Sequence, residues 1–133
     1  MIRLLLVSAA VGCALAAGAV ATAAAPAARS ELVMYESASC PWCQAWHRQV
    51  GVLYAKTEEG QLLPLRRVQA EEPLPEDLRP FALGPFTPTF LLLHCGREAG
   101  RIVGYPGEMH FWGLLDAALR QLRGADSGPL PAC

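Results

Sequence analysis

Cys40-Pro41-Trp42-Cys43 is the stretch that decides the fold, because it places two cysteines three positions apart at a change from strand to helix. An apolar, strand-like run at 32–36 comes just before it, and a helix-like run from 42 to about 57 follows. Pro41 suits the first helical position, where its fixed φ fits and its missing N–H leaves no bond unmade. Cys40 is therefore predicted to cap the helix, facing unpaired N–H groups and the positive end of the dipole.

This position predicts a redox-active pair. A thiolate at a helix N-terminus is stabilised, so we expect Cys40 to be the nucleophile, with a pKa lowered into the range of roughly 3.5–7.5. Cys43, one turn further on, is placed to resolve a mixed disulfide. A structural bridge is disfavoured because it would close too small a loop. A zinc site normally needs four ligands, and His47 could supply only a third, so no metal is expected. A metal chaperone using Cys40, Cys43 and His47 is the alternative function.

The N-terminus predicts export. Arg3 is the only charged residue before Arg29, and the segment between them is apolar and rich in alanine. Small residues near position 25 complete the pattern of a secretory signal peptide, here placed at 1–25, which leaves 26–133 as the mature chain in the periplasm. An uncleaved membrane anchor remains the alternative for this stretch.

Composition narrows the class of protein further. The chain has 133 residues, enough for one domain, and a formal net charge of −1 with no basic run. Nucleic-acid binding is therefore not expected. Four of the five cysteines lie in 26–133, and an even number of cysteines fits an oxidising compartment.

The remaining pattern predicts an α/β domain. The first helix should bury one face, made of Trp46, Val50, Leu53 and Tyr54. Gly60 is read as a turn, and the proline-rich acidic segment 70–85 as a solvated stretch with a short helix opened by Pro75. Further strands are predicted at 62–68, 89–94 and 101–105, and a last helix at 108–123 with a tail from about 124. The predicted order is β-α-β-(short α)-β-β-α, a four-stranded mixed sheet flanked by helices.

This order, with C-x-x-C opening the first helix and Thr87-Pro88-Thr89 opening the third strand, resembles the thioredoxin/glutaredoxin superfamily over residues 31–123. The resemblance implies a thioredoxin-like fold and a thiol-disulfide oxidoreductase without a cofactor. It also implies that Pro88 is cis and lies against the active disulfide. The backbone of Thr87 would then pair with an extended protein substrate.

A closer resemblance is to the small periplasmic thioredoxin-like proteins of the sulfur-oxidation (Sox) cluster, the SoxS family. The matching stretches are 40–46, 73–75, 86–90, 104–108 and 111–112. This resemblance implies a role in keeping the cysteine of a periplasmic sulfur-carrier protein active, with a membrane thiol carrier as electron donor and a monomeric enzyme. The substrate groove would be formed by Pro41, Trp42, Thr87, Pro88, Gly104 and Tyr105.

Two features depart from the wider superfamily. The buried aspartate that thioredoxin places beneath its cysteines is replaced by Met34, and Glu36 is the nearest acid. Cys43 therefore has no assured partner for proton transfer. The basic residues with which glutaredoxins hold glutathione are also missing around the motif, so glutathione is not an expected cosubstrate.

Cys95 and Cys133 are expected to form a structural disulfide. In a thioredoxin-like fold the turn holding Cys95 lies at the end of the sheet away from the active site, where the last helix finishes. The tail from Gly124, at ~3.3 Å per extended residue, can fold back to that turn. The alternative is that Cys133 is a terminal thiol, unpaired or joined to another chain.

Overall fold

The computed structural model describes residues 30–124 and 128–133, so the predicted signal peptide at 1–25 lies outside the described residues. Within the described part, no helix combines the length and the apolar character needed to cross a membrane. The strands are β1 (Glu31–Glu36), β2 (Leu65–Gln69), β3 (Thr89–His94) and β4 (Arg97–Val103). The α-helices are α1 (Pro41–Trp46), α2 (Val52–Tyr54), α3 (Glu58–Leu62) and α4 (Glu108–Arg123). A π-helical turn at His47–Gly51 joins α1 to α2, and a 3₁₀ turn lies at Glu76–Leu78.

The four strands form one mixed sheet in the order β2-β1-β3-β4. β1 and β2 are parallel and are connected through the α1 to α3 segment, whereas β3 pairs antiparallel with both β1 and β4. The predicted α/β class and the four-stranded mixed sheet flanked by helices are confirmed. β1 and β3 are the two central strands and run antiparallel. The carboxyl end of β1 and the amino end of β3 therefore lie side by side, at the end of the sheet where α1 begins.

Both faces of the sheet are covered, and alternation along the strands divides the core in two. Leu32, Met34 and Phe90 face the helices, where they pack with Trp46 and Phe111. The opposite face is closed by the segment between β2 and β3. The residues of this second cluster are Val33, Val68, Leu78, Leu83, Leu91 and Leu93. The acidic run of 70–85 is exposed as expected, but the leucines within it cover the second face.

The first helical segment differs from its prediction. A π-helical turn holds one more residue than an α-helical turn, so the buried face shifts: Val50 and Tyr54 stay buried, whereas Leu53 is exposed. The prediction of Leu53 as a core residue is therefore wrong. Gly60 is not a turn residue either but lies inside α3. A Cβ at Gly60 would stand 1.8 Å from the Tyr54 carbonyl oxygen, so the close approach of these two segments requires glycine.

Two strand boundaries also move. β2 begins at Leu65 rather than at residue 62, because α3 extends to Leu62 and Pro64 follows it. The hairpin between β3 and β4 turns over two residues, Cys95 and Gly96, so β4 runs from 97 to 103 rather than from 101 to 105. Gly100 lies within β4, where a Cβ would come within 3.0 Å of the Ala118 Cβ on α4.

Candidate active site

The C-P-W-C motif opens α1 as its pattern predicts. Pro41 is the first helical residue, and Cys40 is the cap in an extended conformation. The Cys43 backbone N–H donates to Cys40 Sγ across 3.0 Å, and the two sulfurs are joined as a disulfide with a Cα–Cα distance of 5.3 Å. An N–H aimed at a sulfur favours negative charge there, so the same contact stabilises a Cys40 thiolate once the bond is reduced.

Pro88 lies beside this sulfur. The Thr87–Pro88 peptide bond is cis, and the Thr87 carbonyl oxygen is 3.3 Å from Cys40 Sγ. In the dithiol form the Cys40 S–H can donate to that oxygen. The Gly104 N–H donates a hydrogen bond to the Pro88 carbonyl across 2.7 Å, so the residue that follows β4 also contacts the cis-proline loop. Cys40, Thr87, Pro88 and Gly104 are therefore brought together at one edge of the sheet.

The side chains around the sulfurs differ in exposure. Trp42 is 63% exposed, whereas Cys40 is 7% and Cys43 only 1% exposed. Tyr105 is buried rather than open to a substrate, and its hydroxyl donates to Gln49 Oε1 across 2.6 Å. Its burial, together with the nearby Glu108 charge, raises the pKa of Tyr105.

The sequence reasoning missed Phe86 as part of this surface. It is 64% exposed and precedes Thr87 by one position, and its carbonyl accepts a hydrogen bond from the Thr89 hydroxyl at 2.8 Å. The sequence signal that could have identified it is a large apolar residue directly before Thr87-Pro88. Single exposed apolar side chains are common on protein surfaces, but one that adjoins the loop beside the active disulfide indicates a contact surface.

Glu36 forms a buried ionic network at the end of β1. Its carboxylate accepts hydrogen bonds from His47 Nε2 at 2.5 Å, Arg67 Nε at 2.5 Å and Gln69 Nε2 at 2.9 Å. Burial raises the pKa of Glu36, but the bonds and charges of Arg67 and His47 outweigh burial, so this pKa lies below its usual value. The sequence left the direction of Glu36 open. Period-two alternation from Leu32 and Met34 was the signal that it faces the helices.

His47 is therefore engaged by Glu36 rather than by the cysteines. Among the residues that the structure describes, one group of three His, Cys, Asp or Glu side chains brings its ligand atoms within 4.8 Å of one another, and it is His94, Cys95 and Cys133. The predicted alternative set of Cys40, Cys43 and His47 is not assembled in that way.

The second pair of cysteines lies at the far end of the sheet. Cys95, in the β3–β4 turn, is joined to Cys133 by a disulfide with a Cα–Cα distance of 5.3 Å over a separation of 38 residues. Leu130, in the tail that carries Cys133, packs against the helix-side core. The described end of the tail, 128–133, thus lies beside both the β3–β4 turn and the helix-side core.

Comparisons with known proteins bear on the fold and on the activity. Neither the protein-family models nor the curated proteins include a match to this chain. Among solved structures, the periplasmic thioredoxin SoxS from Paracoccus pantotrophus, in its reduced form, is 38% identical with a TM-score of 0.63. The match covers 70% of this chain and 98% of that one.

Two thioredoxins agree in fold at lower identity. The thioredoxin of Fasciola hepatica is 21% identical, with a TM-score of 0.53, and the match covers 68% of this chain and 81% of that one. The thioredoxin of Thermus thermophilus is 24% identical, also with a TM-score of 0.53, and the match covers 73% and 77% of the two chains. These two similarities show the fold alone.

Proposed function

We propose that this chain, which belongs to the thioredoxin superfamily and within it is SoxS-like, works after export as a reductant of protein disulfides in the periplasm. Its activity as a thiol-disulfide oxidoreductase follows from that membership and from the Cys40–Cys43 pair. The observation that carries the proposal is the position of Cys40 Sγ, held between the Cys43 N–H and the Thr87 carbonyl beside cis-Pro88.

The proposed exchange proceeds in two displacements. The Cys40 thiolate attacks one sulfur of a substrate disulfide, forming a mixed disulfide and releasing the other substrate sulfur as a thiolate. Cys43 then attacks Cys40 Sγ, which releases the second substrate thiolate and leaves the Cys40–Cys43 disulfide. The substrate gains two electrons, and the protein loses two. Cys40 is the better first nucleophile because its sulfur receives the N–H of Cys43, whereas the Cys43 side chain is almost completely buried.

The proposed substrate groove runs past both sides of Cys40. The exposed Trp42 and Phe86 offer apolar contact area, and the backbone of Thr87 is available to pair with an extended segment. Pro41, Pro88, Gly104 and Tyr105 set the shape of the groove. A surface of this kind fits a polypeptide better than a small thiol, because aromatic side chains dominate protein-protein contacts.

The proposed physiological substrate is a periplasmic sulfur-carrier protein whose active cysteine is blocked as a disulfide. The support for this assignment is the likeness to the periplasmic SoxS thioredoxin, to which the chain is 38% identical. Restoring the carrier consumes the dithiol, so a membrane thiol carrier is the proposed electron donor. The proposed enzyme is a monomer, since Cys40 and Cys43 of one chain supply both of the enzyme thiols that the exchange needs.

The test uses a purified sulfur-carrier protein whose cysteine is blocked as a mixed disulfide. The Cys43→Ser variant should form a one-to-one covalent complex with it, because Cys40 attacks and nothing resolves the bond. The Cys40→Ser variant is the matched control and should form none. Equal trapping of an unrelated protein disulfide at the same concentration would argue against the carrier while keeping the general activity.

Export is tested separately. Protein recovered from the periplasm should begin between Ala24 and Ala28, because the small-residue sites at 21–23 and 23–25 place the cut just before or within that segment. Recovery of the chain in the membrane fraction with Met1 retained would support an anchor instead.

A further inference from the structure

We propose that Cys95 and Cys133, once reduced, bind a thiophilic d¹⁰ cation, Cu⁺ or Zn²⁺, together with His94. The ligand atoms of these three residues lie within 4.8 Å of one another. Thiolate sulfur and imidazole nitrogen are the protein ligands that both cations prefer. The site lies at the end of the sheet opposite the C-P-W-C motif.

The geometry requires only a small local change. Ligand atoms around one such ion stand ~3.3–4 Å apart, given metal–sulfur and metal–nitrogen distances of about 2.3 and 2.0 Å. The two sulfurs of an opened disulfide therefore need to separate by about 2 Å. Cys133 is exposed in a segment, 128–133, that has neither helix nor strand, so its sulfur can make this movement while Cys95 stays in the hairpin turn.

The surroundings fit a bound cation. Ser30 Oγ is 2.7 Å from His94 Nδ1 and orients the ring, and a metal bound at His94 Nε2 would leave this hydrogen bond in place. A hydrogen bond to the second nitrogen is the usual support of a metal-bound histidine. The three residues line a cavity of about 580 Å³ that Arg97 also lines. Two thiolates neutralise Zn²⁺, and with Cu⁺ the remaining negative charge can be balanced by Arg97.

The backbone of Cys95 also points to a role for its sulfur. Cys95 has a φ of 51°, and Gly96 follows with 72°, so both residues of this two-residue turn are left-handed. Such turns favour Asn-Gly, and a left-handed conformation is unfavourable for most other residues. Cysteine is therefore a poor choice for the turn itself, and its side chain must be what the position uses.

The site opens by thiol-disulfide exchange with a protein dithiol, so this step depends on the activity of the thioredoxin motif. The Cys40 thiolate of a second copy attacks one sulfur of the Cys95–Cys133 bond, and Cys43 of that copy resolves the mixed disulfide. The donor is oxidised to its disulfide, and Cys95 and Cys133 gain two electrons and two protons. The cation then displaces both protons. The donor must be another molecule, because the six residues of β3 separate the two ends by ~20 Å.

The test uses the full chain with Cys13→Ser, so that only the two pairs supply thiols. Reduced, anaerobic protein is titrated with Cu⁺, and separately with Zn²⁺, in competition with a chromophoric chelator. The Cys40→Ser/Cys43→Ser variant should bind one equivalent, and the tighter of the two cations identifies the metal. X-ray absorption should show two sulfur ligands at about 2.3 Å. His94→Gln added to that variant, which keeps Cys95 and Cys133, should weaken binding at least about tenfold.

Three results would overturn the site. One is undiminished binding by a Cys95→Ser/Cys133→Ser variant, which would move the metal to the C-P-W-C motif. The second is no binding of either cation by the Cys40→Ser/Cys43→Ser variant. The third is unchanged affinity in His94→Gln. Disulfide reduction by the Cys95→Ser/Cys133→Ser variant is measured alongside, so failure of the proposed function is seen independently of the metal.

Discussion

The two disulfides of this protein join cysteines at the same Cα–Cα distance, 5.3 Å, at opposite ends of one sheet. At the α1 end, an N–H points at Cys40 Sγ and a carbonyl of the cis-Pro88 loop lies beside it. At the other end, Cys95 sits in a hairpin turn and Cys133 in a tail. The bond is chemically the same, so its surroundings decide whether a sulfur attacks or the bond holds the chain.

The two disulfide bonds also close loops of very different length. The Cys40–Cys43 bond spans three positions and restrains the unfolded chain little, whereas the Cys95–Cys133 bond spans 38. The chain-entropy model gives about 4 kcal/mol for a loop of that length. The far bond should therefore matter for stability, and the near bond for chemistry.

The largest expected effect is loss of activity in Cys40→Ser. The rate of reduction of a model protein disulfide should fall to that without enzyme, because the first displacement has no nucleophile. The pH dependence of alkylation should show Cys40 of the wild-type dithiol reacting first, below the usual thiol pKa of about 8.5. Faster alkylation of Cys43 would reverse the roles given to the two cysteines.

The next largest effect is on stability, from Cys95→Ser/Cys133→Ser. The free energy of unfolding should fall by roughly 2–5 kcal/mol, because the unfolded chain regains the freedom that the long loop removed. Chemical denaturation under non-reducing conditions measures it, and the rate of disulfide reduction should be unchanged. A loss of activity with unchanged stability would reverse the contrast between the two bonds.

A smaller effect is expected from Glu36→Gln, which removes the charge at the centre of the ionic network near α1. The lowered pKa of Glu36 means that its stabilising contribution is present above the pKa of the unfolded chain, near 4.5, and is lost as pH falls below it. The variant should lose roughly 1.5–3 kcal/mol at pH 7, the size expected for hydrogen bonds to a charged group.

Denaturation measured at several pH values checks this prediction. The difference between wild type and Glu36→Gln should shrink as the pH is lowered below about 4.5, because the unfolded chain binds a proton there while Glu36 of the folded protein, with its lowered pKa, stays ionised to a lower pH. His94→Gln is the matched control at the other end of the sheet, since its hydrogen bond to Ser30 involves no carboxylate. A difference that stays constant down to pH 3 would remove the ionic explanation.

The smallest effect is expected from Trp42→Ala. Its side chain is 63% exposed, so the free energy of unfolding should change by less than about 0.5 kcal/mol. Reduction of a protein disulfide should lose roughly five- to tenfold in kcat/KM if Trp42 contacts the substrate. Val52→Ala, similarly exposed at 64% but beyond the π-helical turn, should leave both quantities unchanged.

The start of α1 could be predicted from the sequence because local chemistry defines it. Pro41 fixes a helix start wherever it follows a capping residue, and the last helix was bounded correctly at 108–123 because Gly107 and Gly124 flank a regular apolar face. The course of the α1 to α3 segment could not be predicted as well from the sequence. A π-helical turn and the contact of Gly60 with the Tyr54 carbonyl depend on neighbours in space and carry no periodic signal.

The site divides in the same way. The relative position of Cys40 and Cys43 is defined by four consecutive residues, and the start of the helix that carries them follows from Pro41. The ionic network needs Glu36 from β1, His47 from the π-helical turn and Arg67 from β2, and only the parallel pairing of the two strands brings them together. No spacing of residues along the chain predicts a contact of that kind.

The sequence by itself determined that a redox pair opens a helix after a buried strand, because capping, proline geometry and alternation act between neighbours along the chain. The superfamily resemblance added the place of Pro88 beside that pair. Only the tertiary structure decided that Glu36 is buried among its partners and that His94 meets the expected Cys95–Cys133 pair around one cavity. Those contacts join residues up to 39 positions apart, and their geometry is fixed by how the sheet pairs and how the tail returns, which no local preference encodes.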